Sequence, residues 1–336
     1  MTVALKAAGE WRRLVPRSAR HQVHTWLSSR KGRLVLRQLC EVSRNGRSVV
    51  IGPWLGEVGF ELLYWVPFLR WAMDVSGLEP QRVVVVSRGG TASWYQGLAA
   101  RYADVFDYLS PADFDARNRM RASEVGEQKQ LRTTALEHDL VAMVTQALHL
   151  DRPDVLHPSL MFDVMSPYWW GHRAIDWVDA HARYAPLVID PPSASEGLPS
   201  GYAAVKFYFN ECFPPTAANR ETATSVVRRL AEDGPVVSLA TGLRVDDHAA
   251  WAEEEQLALY GIRARLTPST NLALQTTVVA GASRWAGTYG GFAYLAPFCR
   301  VPASAYFSHP SGFSSRHLEL ALRVFGRFGH NLLQLN

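Results

Sequence analysis

Three cysteines in 336 residues, Cys40, Cys212 and Cys299, stand far apart and in no metal-binding or redox spacing. A disulfide framework and a thiolate metal centre are both excluded, and the three read as buried free thiols in a reducing compartment. No apolar run reaches the roughly 20 residues that span a bilayer. The N-terminus has no apolar core of a secretory signal, so the expected location is the cytoplasm. The phosphate loop G-x-x-x-x-G-K-S/T, the G-x-S-x-G elbow and the G-x-G-x-x-G fingerprint are all missing. That speaks against kinase, hydrolase-fold esterase and dehydrogenase chemistry. His21, His24, His138, His149, His157 and His172 show no zincin spacing. Asp113-Phe114-Asp115 has the spacing of a metal-binding Asp pair but follows Ser110-Pro111-Ala112 in a polar stretch, and no metal site is assigned.

Charge is scarce as well, at 20% of residues against 48% hydrophobic, which leaves enough apolar surface for two cores. It is also unevenly placed. Residues 1–44 hold ten Lys or Arg against Glu10 and Glu41, a net charge of +8; with +4 for the whole chain, the remainder carries −4. In this segment Trp11, Leu14 and Val15, then Val23, Trp26 and Leu27, then Leu36, Leu39 and Cys40 recur at helical spacing. Two readings fit a basic amphipathic extension: a cap packed on the body with its charges in water, or a helix lying on the anionic inner face of a membrane. Nucleic acid is not an expected partner, because no recognition motif follows the basic stretch.

From residue 45 the pattern changes to strands alternating with helices, the signature of parallel α/β sheets. Ser48 to Ile51 reads as a strand that breaks at Gly52-Pro53, and a helix pattern runs from Phe60 to Trp71. Val83 to Val86 is a second strand, with a helix expected from about Ala92 to Tyr102. Asp113 to Gln130 reads as a polar, charge-mixed region, Leu136 to Leu150 as a helix, and the aromatic stretch around Tyr168 as irregular. Residues 185–201, rich in Pro, Ser and Gly, read as a linker. Beyond them, strands are expected at Tyr202 to Phe209, Val236 to Leu239 and Ile262 to Leu266, with a helix at Ala223 to Glu232. The expected organisation is a basic extension (1–44), an acceptor domain (45–190), a linker (191–201) and a donor domain (202–336), both domains doubly wound and Rossmann-like.

Two glycine turns carry the chemistry. Gly56-Glu57-Val58-Gly59 lies between a strand and a helix. Thr288-Tyr289-Gly290-Gly291 lies between the strand Trp285-Ala286-Gly287 and a helix from Phe292 to Cys299. In parallel sheets, ligands gather at the carboxyl ends of strands, and bare N–H groups at a helix start suit a phosphate. Lys206 interrupts the apolar run Ala203 to Phe209, and a cation there needs an anion.

Two doubly wound halves, a Pro-rich connection, a glycine loop after the first strand and a late Gly287-Thr288, Gly290-Gly291 turn before Val301-Pro302 resemble the GT-B glycosyltransferases. The nearer likeness is to their heptosyltransferase and fucosyltransferase-like branches. The first loop has Gly-Glu where the heptosyltransferase pattern has Gly-Asp, and the late turn has Thr-Tyr-Gly-Gly in place of Asp-Thr-Gly. The resemblance implies transfer of a sugar from a nucleotide-diphosphate donor to a glycan, lipid-linked or small-molecule acceptor, in polysaccharide or glycoconjugate biosynthesis. With no convincing divalent-metal motif in the sequence, transfer is expected to be metal-independent, and no bound cofactor is expected.

Glu57 is then the expected base of an inverting displacement, with Glu61, one helical turn on, as the alternative. Donor contacts are expected from Lys206, Thr241, Arg244, Thr288, Tyr289, Gly290 and Gly291. Acceptor contacts are expected from Gly56, Gly59, Trp169 and Trp170, the last two as a stacking wall. The competing functions are a nucleotide-sugar epimerase on the same scaffold and a non-catalytic glycan-binding or assembly protein.

Overall fold

The computed structural model describes residues 17–125, 129–190, 197–243, 249–251 and 257–336, with backbone alone for 17–27 and 249–250. Runs of branched apolar residues too short for a helix favour strands, and when every side chain is buried the sheet must be covered on both faces. Val49, Val50 and Val83 to Val86 meet that description, all fully buried. They build β1 (Val49–Ile51) and β2 (Val83–Ser87), which join β3 (Arg101–Asp104) and β4 (Asp154–Leu156) in a parallel sheet ordered β3-β2-β1-β4. A second parallel sheet contains β5 (Ala203–Lys206), β7 (Val236–Ser238), β9 (Tyr260–Gly261), β10 (Arg284–Thr288), β11 (Ala303–Tyr306) and β12 (Leu333–Leu335). Its order is β12-β11-β10-β5-β7-β9. A short antiparallel pair, β6 (Tyr208–Phe209) with β8 (Ala249–Ala250), lies beyond the end of β5.

Helices cover both faces of each sheet. In the first half, α3 (Pro111–Val125) and α4 (Ala135–Ala147) bring Phe114, Leu136, Leu140 and Val144 onto Val50, Val84 and Val86. Residues 58–76 form α2 on the other face, with a π turn, Glu61–Trp65, between the α-helical pieces Val58–Phe60 and Val66–Ser76. Beside it lies α5 (Ser159–Trp169), followed by the short α6 (Asp176–Ala180). The helix α1 (Arg17–Arg44) packs on α5 and α2, burying Val35, Leu39 and Val42 while Lys31, Arg33, Arg37 and Arg44 face outward. Its described side chains therefore form a packed cap. Among the described residues no helix is long and apolar enough to cross a membrane.

In the second half, α7 (Ala217–Asp233) sets Ala223, Val226 and Val227 against Val205 and Phe207. The other face carries α8 (Asn271–Gly281) and α9 (Gly291–Phe298). The last helix, α10 (Ser315–Phe328), reaches back to the first half. Tyr168 Oη donates to Arg316 O at 2.7 Å, Tyr64 Oη is hydrogen-bonded to His317 Nδ1 at 2.6 Å, and Arg323 and Arg327 bond Asp176 and Asp179. One continuous hydrophobic cluster, from Trp54 through Tyr289 and Phe292 to Phe325, joins the two halves.

Several local expectations are corrected. The helix expected from Ala92 to Tyr102 is a 3₁₀ turn, Thr91–Tyr95, followed by β3. The polar stretch after Ser110, to which the sequence assigned no element, is the helix α3, and the aromatic stretch before Trp170, expected to be irregular, is the helix α5. The strand expected at Ile262 to Leu266 is a 3₁₀ turn at Arg263–Arg265, preceded by β9. In each case tertiary packing decides a segment whose own periodicity is weak.

Candidate active site

The loop after β1 is held mainly through its backbone. Gly52 N donates to Leu156 O at 3.0 Å and Trp54 N to Val86 O at 2.9 Å, which lays the loop across the carboxyl ends of the first sheet. Buried Gln130 straps it down: its Oε1 accepts from Leu55 N at 2.9 Å and its Nε2 donates to Pro53 O at 2.8 Å. Arg88, at the end of β2, donates from Nη2 to Gly56 O at 2.6 Å. These bonds fix Glu57, which stands exposed in extended backbone (φ −70°, ψ 147°) as the residue that opens α2.

The second turn is fixed by Thr288. Its buried hydroxyl donates to Tyr208 O at 2.6 Å and accepts from Tyr208 N at 3.0 Å, binding β6 to the end of β10. Gly290 and Gly291 then start α9. A Cβ added to Gly291 would lie 2.6 Å from Gly59 N, and one added to Gly59 would lie 3.0 Å from Gly291 Cα. Backbone thus touches backbone where the two helices begin. A cleft of about 320 Å³ is lined by Gly56, Glu57 and Arg88 from the first half and by Tyr208, Tyr289, Gly290 and Gly291 from the second.

Of the residues expected from sequence, Gly56, Glu57, Tyr289, Gly290 and Gly291 line this cleft, and Gly59 forms the contact between the halves. Lys206 does not line it; its Nζ donates to Gln275 Oε1 and sits 3.7 Å from the ring centroid of Phe292, a cleft residue. Thr288 is a structural tie. Thr241 accepts from Leu243 N within its own turn, and Arg244 lies outside the described residues. Trp169 packs edge-on against Phe60, Tyr64 and Phe162, and Trp170 is 70% exposed; neither lines the cleft. Apolar packing took Trp169 from the stacking wall that sequence suggested.

Glu61 is also withdrawn from the cleft. It is fully buried under the first turn of α2, where Oε1 accepts from Ser87 Oγ at 2.6 Å and Tyr95 Oη at 2.5 Å. Burial pushes its carboxyl up to about 7, against the hydrogen bonds from Ser87 and Tyr95. The folded protein therefore keeps the Glu61 proton up to about pH 7, whereas the unfolded chain releases it near its ordinary 4.5. Stabilisation by the neutral form is complete below pH 4.5 and is lost as pH rises through 7. The expected loss across that window is on the order of 3 kcal/mol, and Glu61→Gln removes it. Urea denaturation of both proteins at pH 5 and pH 8 checks this. Equal pH dependence in the two would assign the effect to other groups.

Sequence reasoning missed the cationic residues of the cleft. Arg88, Arg121 and Lys129 all line it. The signal for Arg88 was present in Ser87-Arg88-Gly89-Gly90, a charge at the carboxyl end of a strand of valines.

No known family model matches the chain, and no curated protein matches it. Solved structures similar to it include the dodecameric iron-containing glycosyltransferase TibC of enterotoxigenic E. coli, at 12% identity and a TM-score of 0.41, covering 77% of this chain and 58% of TibC. The chain thus spans less than two thirds of that protein. A family 9 glycosyltransferase of Veillonella parvula is similar at 11% identity and a TM-score of 0.43, covering 80% of this chain and 83% of that one. E. coli ADP-heptose lipopolysaccharide heptosyltransferase II is similar at 10% identity and a TM-score of 0.40, covering 84% of this chain and 99% of that one.

Proposed function

We propose that this protein is a glycosyltransferase that moves a sugar from a nucleotide-diphosphate donor to an acceptor hydroxyl, in the cleft between the two sheets. The observation that carries the reading is convergence. Two glycine-opened helix starts, one from each half, meet at a single cleft with an exposed carboxylate at its edge. Transfer from a nucleotide sugar needs a group to take the acceptor proton and a group to hold the charge of the departing diphosphate. Glu57, exposed at the cleft's edge, suits the first task. The backbone N–H groups at the start of α9 suit the second, because a helix N-terminus carries partial positive charge and unpaired donors. Lys206, over Phe292, supplies a cation behind that wall.

With the carboxylate on one side of the acceptor and the diphosphate leaving on the other, a single displacement inverts the anomeric centre. Sugar transfer on the cytoplasmic side, with the outward basic face of α1 resting on anionic lipid, is compatible with this reading.

A thermal-shift series with nucleoside diphosphates, run with and without EDTA, tests the donor site. A ligand at about 100 times its dissociation constant stabilises the native state by about 2.7 kcal/mol, a rise in melting temperature of a few degrees. The expected result is such a rise with one base, unchanged by EDTA. No rise with any base would remove the donor site, and conversion of donor alone into an isomeric sugar nucleotide would replace transfer with epimerisation.

A further inference from the structure

We propose that the first-half wall of the cleft is an oxyanion site, formed by Arg88, Arg121 and Lys129, which takes a phosphate or carboxylate carried by the acceptor. The acceptor of this enzyme is thus an anionic molecule. The inference rests on the transferase reading for the word acceptor, and on geometry for the site.

Arg88 carries the argument. It is only 5% exposed, yet among the described residues no carboxylate lies within 4 Å of its guanidinium. Its one hydrogen bond there runs from Nη2 to the Gly56 carbonyl, and Nε is buried with no acceptor. A buried guanidinium without an anion costs several kcal/mol, so such a group is kept where an anion arrives. The acid whose charge it feels, Glu61, is pushed up to about 7 and provides only part of a counter-charge at neutral pH.

Two further cations stand on the same wall. Arg121 is 2% exposed, and its Nε donates to Asn118 Oδ1 at 2.8 Å. Lys129 Nζ lies 5.7 Å from the Phe60 ring centroid and 5.8 Å from that of Trp169. Arg119 adds little, because Asp115 pairs with it at 2.6 Å. Guanidinium forks match the oxygens of phosphate and carboxylate.

The wall belongs to the end of β2, to α3 and to the loop after α3, whereas the glycine turn belongs to the second half. A diphosphate held at the start of α9 therefore leaves Arg88 and Lys129 to a second anion.

Calorimetric titration with inorganic phosphate, with and without the best-binding nucleoside diphosphate at saturation, tests the assignment in the full chain. Wild-type protein is expected to bind phosphate in both cases. Arg88→Gln is expected to weaken phosphate at least tenfold while leaving the nucleoside diphosphate within threefold, and Arg88→Lys to recover part of the loss. Phosphate binding that disappears when the nucleoside diphosphate is present would give the wall to the donor and overturn the proposal. Unchanged phosphate affinity in Arg88→Gln would also overturn it. Should Arg88→Gln fail to fold, Lys129→Gln, at a half-exposed position, is expected to weaken phosphate at least threefold, and no change there would count against the site. Arg88-dependent phosphate binding in a protein that binds no nucleoside diphosphate would keep the anion site and refute the transferase reading alone.

Discussion

Glu57→Gln is expected to lower the rate of sugar transfer by about 10²- to 10⁴-fold, the range over which a positioned general base accelerates proton removal. Nucleoside diphosphate affinity is expected to be unchanged. The substitution keeps the shape of the side chain and leaves the loop where it is, since Gly56 is held through its carbonyl by Arg88 and Leu55 through its N–H by Gln130. What is lost is the ability to accept a proton, so the decrease falls on kcat and on kcat/KM together, as expected for an interaction made in the transition state alone. Single-turnover kinetics with radiolabelled donor separates this from weakened binding. The product formed by the wild-type protein is expected to have the opposite anomeric configuration to the donor. A variant as active as wild type, or a product with retained configuration, removes Glu57 from the role of base.

Much of the frame was legible because it depends on local signals. Runs such as Val83 to Val86 announce buried parallel strands, and glycine-opened turns after them announce ligand ends. Where the sequence misled, the deciding interaction was distant. Residues 111–125 look too polar for a core helix, yet Phe114, their one buried apolar residue, anchors them to α4 and the sheet. Trp169 looks like a sugar platform, but Phe60, Phe162 and Tyr64 converge on it from other elements. Glu61 follows Glu57 by one helical turn and so appears equally placed. Only the fold shows that Ser87 and Tyr95 hold it below the cleft. The same holds for the contact of Gly59 with Gly291. Each glycine reads correctly as a helix start, and no local pattern says that the two starts meet.

That contact is where the second large effect is expected. In Gly291→Ala the new methyl carbon would stand 2.6 Å from Gly59 N and 3.1 Å from Val58 Cβ. Carbon contacts are comfortable at roughly 3.5–4.0 Å, so one helix start must withdraw by about 1 Å. No side-chain rotation relieves a clash with backbone. Overpacking of this kind costs about 1–3 kcal/mol of stability. The functional loss is larger, because about 1 Å of misplacement at reacting groups costs on the order of 10²-fold in rate. The expected result is a lowered urea midpoint, nucleoside diphosphate affinity down at least tenfold, and transfer down about a hundredfold. Gly326→Ala, within α10, where an added Cβ meets nothing within 4 Å, is the matched control and is expected to keep full activity. If Gly291→Ala binds and turns over as the control does, the two helix starts do not form the site. If it loses binding while Glu57→Gln retains it, the diphosphate and the proton acceptor are assigned to opposite sides of one cleft, as inverting displacement requires.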